Sequence, residues 1–363
     1  MGTGFDLGLQ GILAQNDQLA IIGNNLANSQ TAGFKTERAN FADLFASQSG
    51  LIGFGGGRFG AGVGVVGTVA DWRTGDLSNT ANPANVATDG EGFFAVRYPS
   101  SSENFYTRVG DFTLARAPST VNGGSGYVLA RPDGVMLCGC YNTSPTSTPT
   151  PASPDIAADG SINTAQNPVY FFAQKYDDGT LGHATAGWYE WDDTSWKASN
   201  GSVPSPTSFN IAGDGVITAK PSGSTPGSEK AGDTRIEFRI SRTDNPKPMG
   251  SSGSVLLDAM TSARIGLERF GNPDALDRLE GGIYRSTPDA APVATSTSAG
   301  AAKGGFVPNS NGCGGTLQGM LESSNVDVGK EMTNMIIAQR AFQANSKSIT
   351  TNDQMLQTLL GLR

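Results

Sequence analysis

The chain has 363 residues, of which 49 are glycine and 19 proline, and only 16% are charged, against about 25% in an ordinary soluble domain. Its length leaves room for about two or three turn-rich domains. The net charge of -8 opposes a nucleic-acid partner, since holding phosphates needs clustered Lys and Arg, and the single histidine, His183, excludes a multi-histidine metal site.

In chain order, the first periodic segment predicts a helix from Phe5 to Asn28. Phe5, Leu9, Ile12, Asn16, Leu19, Gly23 and Leu26 fall at alternating steps of four and three, the seam of a helix that packs against another helix. Met1 to Leu9 lacks the basic and apolar regions of a cleaved secretory signal. No apolar run approaches the roughly 18 to 20 residues of a membrane span, so no membrane insertion is expected. Gly62-Val-Gly64-Val-Val-Gly67 matches the dinucleotide fingerprint by letter. No helical period follows it, and a glycine-rich β segment is the better reading.

The middle of the chain predicts short strands. Gly92 to Tyr98, Asn104 to Val109, Asp111 to Ala115, Tyr127 to Ala130 and Val135 to Leu137 are separated by Gly-rich or Asp-Gly turns, which marks a β meander. A second group holds Pro168 to Tyr176, Trp188 to Trp191, Phe209 to Ala219 and Arg235 to Ile240. Asn142 to Pro154, rich in Ser, Thr and Pro, reads as a linker. Trp188, Tyr189, Trp191 and Trp196 either stack on a ligand such as a sugar or form the core or contact patch of a small β domain, and the second is preferred. Cys138, Cys140 and Cys313 are odd in number, and Cys-x-Cys on a strand is poorly placed for a mutual disulfide. They read as buried or redox-silent thiols. No cofactor or metal site and no catalytic constellation is legible, so no enzyme is expected.

At the other end, Val328, Met332, Met335, Gln339, Phe342, Ser346, Ile349, Asp353, Leu356 and Leu360 repeat the helical seam. This helix should be about 52 Å long at 1.5 Å per residue. Residues 1–70 hold three basic and four acidic side chains and 326–363 four and three, so both ends are nearly neutral and the acidity lies between them. The expected fold is mainly β with long terminal α-helices. The layout is helix, β domain, inserted β domain, return to the first β domain, helix, and the two helical ends are suited to dense packing in a coiled-coil core. The division expected is 1–35 with 322–363 for the helical core, 36–70 with 287–321 for an extended connection, 71–144 with 256–286 for the inner β domain, and 145–255 for the inserted outer domain.

The flanks of the two helices carry the most specific pattern. Asn24-Asn25-Leu26-Ala27-Asn28-Ser29-Gln30-Thr31-Ala32-Gly33-Phe34-Lys35 resembles the N-terminal signature of the bacterial flagellar rod and hook proteins, Asn-Asn-x-Ala-Asn-x-x-Thr-x-Gly-Phe-Lys, at every fixed position. Leu321-Glu322-Ser323-Ser324-Asn325-Val326-Asp327, followed by Met335 to Ser346 with Gln339, Arg340, Phe342, Gln343 and Asn345, is similar to that family's C-terminal signature. Asp89 to Phe94, Tyr106 to Phe112 and Phe270 to Pro273 are similar to its shared β domain, while 145–255 matches only as an insertion.

The resemblance implies a homopolymer: a hollow tube whose terminal helices pack together inside and whose β domains stack outward. It implies assembly roles for Asn24, Asn25, Leu26, Ala27, Asn28, Thr31, Gly33, Phe34 and Lys35, and for the seam residues Phe5, Leu9, Ile12 and Leu19. At the other end it implies them for Leu321, Glu322, Ser324, Asn325, Val326, Met332, Met335, Gln339, Arg340, Phe342, Gln343, Asn345, Ile349, Leu356 and Leu360. From the residues alone, Asn24, Asn25 and Asn28 are suited to bonding local backbone, and Gly33 to reversing the chain before Phe34. Length and insertion place the chain with hook-type members of the family, with a distal rod protein or hook-like paralogue as the alternative. Implied partners are the distal rod, hook cap and hook-filament junction proteins and the flagellar type III export apparatus. The implied location is the hook outside the cell, reached without a cleaved signal. The reading from another class is a secreted β-rich protein that binds or cleaves carbohydrate.

Overall fold

A computed structural model describes residues 3–45, 60–101, 103–116, 127–141, 162, 167–176, 189–191, 196–198, 208–220, 235–241, 263–293 and 305–361. The protein is mainly β with one helix near each end, as expected. It divides into two units, Met1–Arg73 with Ser323–Arg363, and Thr74–Glu322.

The first unit contains α1 (Thr3–Ala27), a hairpin of β1 (Glu37–Phe45) and β2 (Gly60–Ala70), and α2 (Val328–Gly361). β1 and β2 pair antiparallel, with register shifts at Asn40/Phe41 and Leu44/Phe45 that bend the ribbon. The fingerprint glycines therefore lie inside β2, and the nucleotide reading is absent from the local geometry. The two helices lie antiparallel, because Gly8 faces Ile349 and Gly11 faces Asn345, while Asn25 reaches Glu331 at the other end. A Cβ at Gly8 would sit 2.8 Å from Ile349 Cγ1, and one at Gly11 2.6 Å from Asn345 Nδ2. Glycine at these positions is what allows the helices so close. α1 has 25 residues and α2 has 34, so in this register α2 runs on past Thr3 from about Met355.

The second unit is built on an extended antiparallel sheet. In chain order its strands are β3 (Leu77–Asn79), β4 (Val86–Asp89), β5 (Phe93–Arg97), β6 (Phe105–Thr107), β7 (Thr113–Arg116), β8 (Tyr127–Ala130), β9 (Met136–Tyr141), β10 (Asn167–Pro168), β11 (Tyr170–Tyr176), β12 (Tyr189–Trp191), β13 (Trp196–Ala198), β14 (Ser208–Ile211), β15 (Val216–Lys220), β16 (Arg235–Ser241), β17 (Ala263–Ile265), β18 (Leu267–Glu268), β19 (Asp277–Arg278), β20 (Ile283–Arg285), β21 (Gly315–Gln318) and β22 (Met320–Glu322). Strands β14, β15, β17, β9, β5, β6, β20 and β19 run side by side in that order. β21 pairs with β4 and β22 with β3, which brings the late part of the unit back beside its beginning.

Most of 145–255 lies outside the described residues, as do His183, Trp188 and the linker. Most of its described strands join the sheet: β10 pairs with β9, β11 with β8 and β15 with β17. Val169, Ile211 and Ile217 lie in one core with Phe94, Phe112, Leu129, Leu137, Ile265 and Leu267. Phe94 and Phe112 meet edge to face at 5.9 Å, a favoured aromatic geometry. Packing is tightest at Gly110, where a Cβ would lie 1.6 Å from the Val86 carbonyl oxygen. β12 and β13 form a separate hairpin with Trp191 opposite Trp196.

The three thiols are buried and none is in a disulfide. Burial pushes the Cys138 thiol up to about 12 and that of Cys313 to about 11. A thiolate is the reactive form, so both should resist a thiol reagent at neutral pH in the native protein and label fully in urea. Rapid native labelling would contradict this packing.

Glu268 is buried, and its Oε1 has no hydrogen-bond partner among the described residues. Burial raises its carboxyl from 4.5 to about 8. The folded chain then keeps a proton that the unfolded chain loses, and stability falls as pH rises from 4.5 towards 8. The contribution is fully present at the acid end and lost above pH 8. Glu268→Gln should flatten this slope in urea titrations across pH, leaving the variant more stable than the parent in alkali.

Candidate functional site

The signature residues at the two ends converge on one polar clasp at the base of the helix pair. α1 ends through local bonds: Asn28 Nδ2 donates to the Asn24 carbonyl and to Asn24 Oδ1, both at 3.0 Å. Thr31 Oγ1 donates to Asn28 Oδ1 at 3.1 Å and Ser29 Oγ to the Leu26 carbonyl at 2.8 Å. Gly33, at φ 67°, then turns the chain in the left-handed region open to glycine. Asn24 and Asn28 thus cap the helix, as their residue type suggests.

Asn25 behaves differently. It is fully buried, and its side-chain amide pairs with the backbone of Glu37 as a strand would: Nδ2 donates to the Glu37 carbonyl at 2.8 Å and Oδ1 accepts the Glu37 N–H at 3.0 Å. Nδ2 also lies 3.4 Å from Glu331 Oε2 in the first turns of α2. Asn325 does the same work from the other end of the chain. Its Oδ1 accepts the Thr36 N–H at 2.8 Å and the Thr36 hydroxyl at 2.9 Å, and its Nδ2 donates to the carbonyls of Asp71 at 2.8 Å and Arg73 at 3.1 Å. Lys35 is buried with Nζ donating to the Arg73 carbonyl at 2.7 Å. Three segments, 34–37, 71–73 and 325–331, are therefore tied by these side chains together with the backbone bonds from Asp71 N–H to the Thr36 carbonyl at 2.8 Å and from Asn325 N–H to the Phe34 carbonyl at 3.4 Å. α2 starts from Asp327, whose Oδ1 accepts the Lys330 N–H at 3.1 Å, an N-cap. Asp71 is held below its ordinary value by the Arg73 guanidinium beside it.

Leu321 and Glu322 belong to the β unit. Glu322 is buried, with Oε1 accepting the Gly75 N–H at 2.9 Å and Oε2 at 3.6 Å from Arg108 Nη1. Arg108 Nη1 also donates to the Gly90 carbonyl at 2.7 Å and to Thr88 Oγ1 at 3.2 Å. Burial lowers the Arg108 guanidinium from its ordinary value, against the pull of Glu322. A buried ion pair of this kind fixes geometry more reliably than it stabilises.

On α1 the contact with α2 uses a face one step from the expected seam, at Gly8 and Gly11, while on α2 it keeps the expected seam residue Ile349. Asn345 and Ile349 lie in the contact, with Met335 half-buried nearby on the same helix. Leu9, Met332, Gln339, Arg340, Phe342, Gln343, Leu356 and Leu360 are exposed, Ile12, Leu19 and Leu26 half-buried, and Ala27 exposed. The side chain of Phe5 lies outside the described residues. Ser324 and Val326 lie half-buried at the turn into α2, with Ser324 Oγ accepting the Val326 N–H at 3.4 Å, and Phe34 is half-buried beside the clasp. Sequence reasoning passed over Glu331, Thr36 and the carbonyls of Asp71 and Arg73. Only Glu331 carried a signal, as a carboxylate at a position where α2 turns inward.

The model for the flagella basal body rod protein matches residues 7–35, and the model for the C-terminal part of the flagellar basal body rod FlgEFG proteins matches 317–362. These spans contain Asn25, Lys35, Asn325 and Glu331. The flagellar hook protein FlgE of Escherichia coli (strain K12) is 27% identical over 430 residues, covering 99% of this chain and 100% of that protein. The flagellar basal-body rod protein FlgG of Bacillus subtilis (strain 168) is 26% identical over 370 residues, covering 98% and 97%. FlgG of Buchnera aphidicola is 29% identical over 360 residues, covering 96% and 95%.

The chain is similar to flagellar rod and hook proteins at both ends and along its length.

The relatives it matches are named as flagellar hook and basal-body rod proteins. Among the described residues no helix is long and apolar enough to cross a membrane, and no three His, Cys, Asp or Glu side chains gather as metal ligands.

Removing the Asn25 amide leaves the Glu37 backbone and Glu331 short of partners. Asn25→Ala should therefore lose about 2–4 kcal/mol by urea titration followed on helical circular dichroism. Asn25→Asp should lose more at neutral pH, where its carboxylate faces that of Glu331, and recover partly in acid. Equal losses at all pH values would remove Glu331 from the clasp.

Proposed function

We propose that the protein is the hook subunit of a bacterial flagellum and that it assembles as a homopolymer through the faces its helices leave uncovered. One observation carries this reading. Met332, Ile336, Ile337, Phe342, Met355, Leu356, Leu359 and Leu360 on α2 are all exposed, as are Leu7, Leu9 and Leu13 on α1, with Ile336 53% and Leu359 63% open to solvent. A stable monomer rarely leaves such a stripe wet. Covering it with helices of other copies is worth on the order of 1 kcal/mol per side chain, before ordering costs. The expected seam residues Leu9, Met332, Phe342, Leu356 and Leu360 fall in this uncovered set, which suits contacts between subunits, while the clasp holds each subunit's own helices in place.

Identity does not separate the two readings, with 27% to a hook protein and 26% and 29% to rod proteins. Chain length and the inserted span 145–255 favour the hook. The shorter alignment to the Bacillus rod protein favours the distal rod as the second reading. As hook subunit the chain passes through the flagellar export apparatus and joins the distal rod, the hook cap and the hook-filament junction proteins. The low charge fraction of 16% suits outer contacts that exchange as the tube bends, because few fixed ion pairs must break.

Concentrated full-length protein should form tubes visible by electron microscopy, supercoiled for a hook and straight for a rod. The double variant Ile336→Asp, Leu359→Asp should keep the circular dichroism of the free subunit and form no tubes. Normal tubes from that variant would remove α2 from the assembly.

A further inference from the structure

Between Val307 and Gly314 the chain makes a tight exposed loop whose chemistry the assembly does not use. Asn311 and Gly312 are both exposed and both in the left-handed region, at φ 48° and 78°. The loop is closed by Cys313 N–H to the Ser310 carbonyl at 2.8 Å, Asn309 N–H to the Gly314 carbonyl at 3.1 Å and Gly314 N–H to the Glu91 carbonyl at 2.8 Å. The Gly312 N–H donates no hydrogen bond among the described residues. Arg269, held by Glu91 through Nε at 2.8 Å, places Nη1 3.2 Å from the Asn311 carbonyl oxygen. That oxygen belongs to the peptide whose nitrogen is Gly312 N. If this nitrogen loses its proton, the charge spreads onto the oxygen that Arg269 already contacts, and a cation at that oxygen stabilises it.

We propose that Asn311 is a site of spontaneous covalent modification, a deamidation assisted by Arg269. Solvent base takes the Gly312 amide proton, and the nitrogen attacks Asn311 Cγ. The side-chain nitrogen leaves as ammonia and a succinimide ring closes. Water opens the ring at either carbonyl and leaves an aspartyl or an isoaspartyl linkage. No electrons are exchanged, and water is the only co-reactant. Glycine matters because no side chain shields its nitrogen. The left-handed Asn311 must rotate to let the nitrogen reach Cγ, so the reaction proceeds through local opening of the loop.

The product places a carboxylate within reach of Arg269, in competition with Glu91. An isoaspartyl link also adds a methylene to a backbone with little space, since a Cβ at Gly314 would lie 2.2 Å from the Asp89 carbonyl oxygen. Cys313, bridged to Glu91, should then lose its shielding.

Asn309 is the internal control. It shares the loop, but the nitrogen after it, Ser310 N, donates to the Val307 carbonyl at 3.2 Å. The full chain is incubated in buffers of rising pH, digested and examined by mass spectrometry with separation of the two acid isomers. Both isomers should accumulate at 311 in proportion to hydroxide while Asn309 stays an amide, and Cys313 labelling should rise with them. Arg269→Gln should slow conversion several-fold in the folded chain and not at all in urea, with Arg269→Lys between the two; circular dichroism verifies that each variant is folded. An intact Asn311 after a time that converts the urea-unfolded chain would overturn the site. Equal folded-state rates in parent and Arg269→Gln would overturn the role of Arg269.

Discussion

The half-buried side-chain amide of Asn325 reaches across a sequence separation of 289 residues to the backbone of Thr36, and the rest of the first unit depends on that closure. Bringing such distant segments together costs loop entropy that no single hydrogen bond returns. The cost is shared among the Asn25, Lys35 and Asn325 contacts and the two helices they align. An amide suits this position because it donates and accepts in one plane and so imitates a strand partner without carrying charge into a buried place. Aspartate would offer no donor, and serine would not span three segments.

The two units manage polarity in different ways. In the first, neutral amides and backbone carbonyls meet, and the buried charges, Lys35 and Glu331, touch carbonyl or amide groups. In the second, Arg108 and Glu322 lie close together in the interior, and Glu268 is kept neutral by desolvation. The second arrangement is sensitive to pH, because its interior contains groups whose protonation decides whether charge is buried.

Much of this was legible in the sequence. Helical period at both ends, short strands between turn signals and the paired signatures gave the element types and the family. The phase of α1 was not legible. Leu9, Ile12 and Leu19 suggest an inward face because they are large and apolar, yet the close approach selects Gly8 and Gly11, where the absence of a side chain is the contribution. Neighbouring residues on a helix differ by about 100° in direction, so Asn24 caps the helix end while Asn25 is buried in the clasp. The convergence of Thr36, Asp71 and Arg73 was hidden for another reason: backbone carbonyls carry no residue signature. The pairing of β10, β11 and β15 with the inner strands lay equally beyond reach, since register between distant strands follows from packing and not from local pattern.

The unequal lengths of the two helices give the subunit a direction. α1 and α2 match from Asn25 and Glu331 to Gly8 and Ile349, and then α2 continues alone with Met355, Leu356, Leu359 and Leu360 in water. Among the described residues such a projecting tenon finds no mortise. A projection that fits a different surface on the next copy makes a heterologous contact, which leaves one tenon free after every addition. In the proposed homopolymer, growth by this joint would proceed from one end until another molecule covers the last projection.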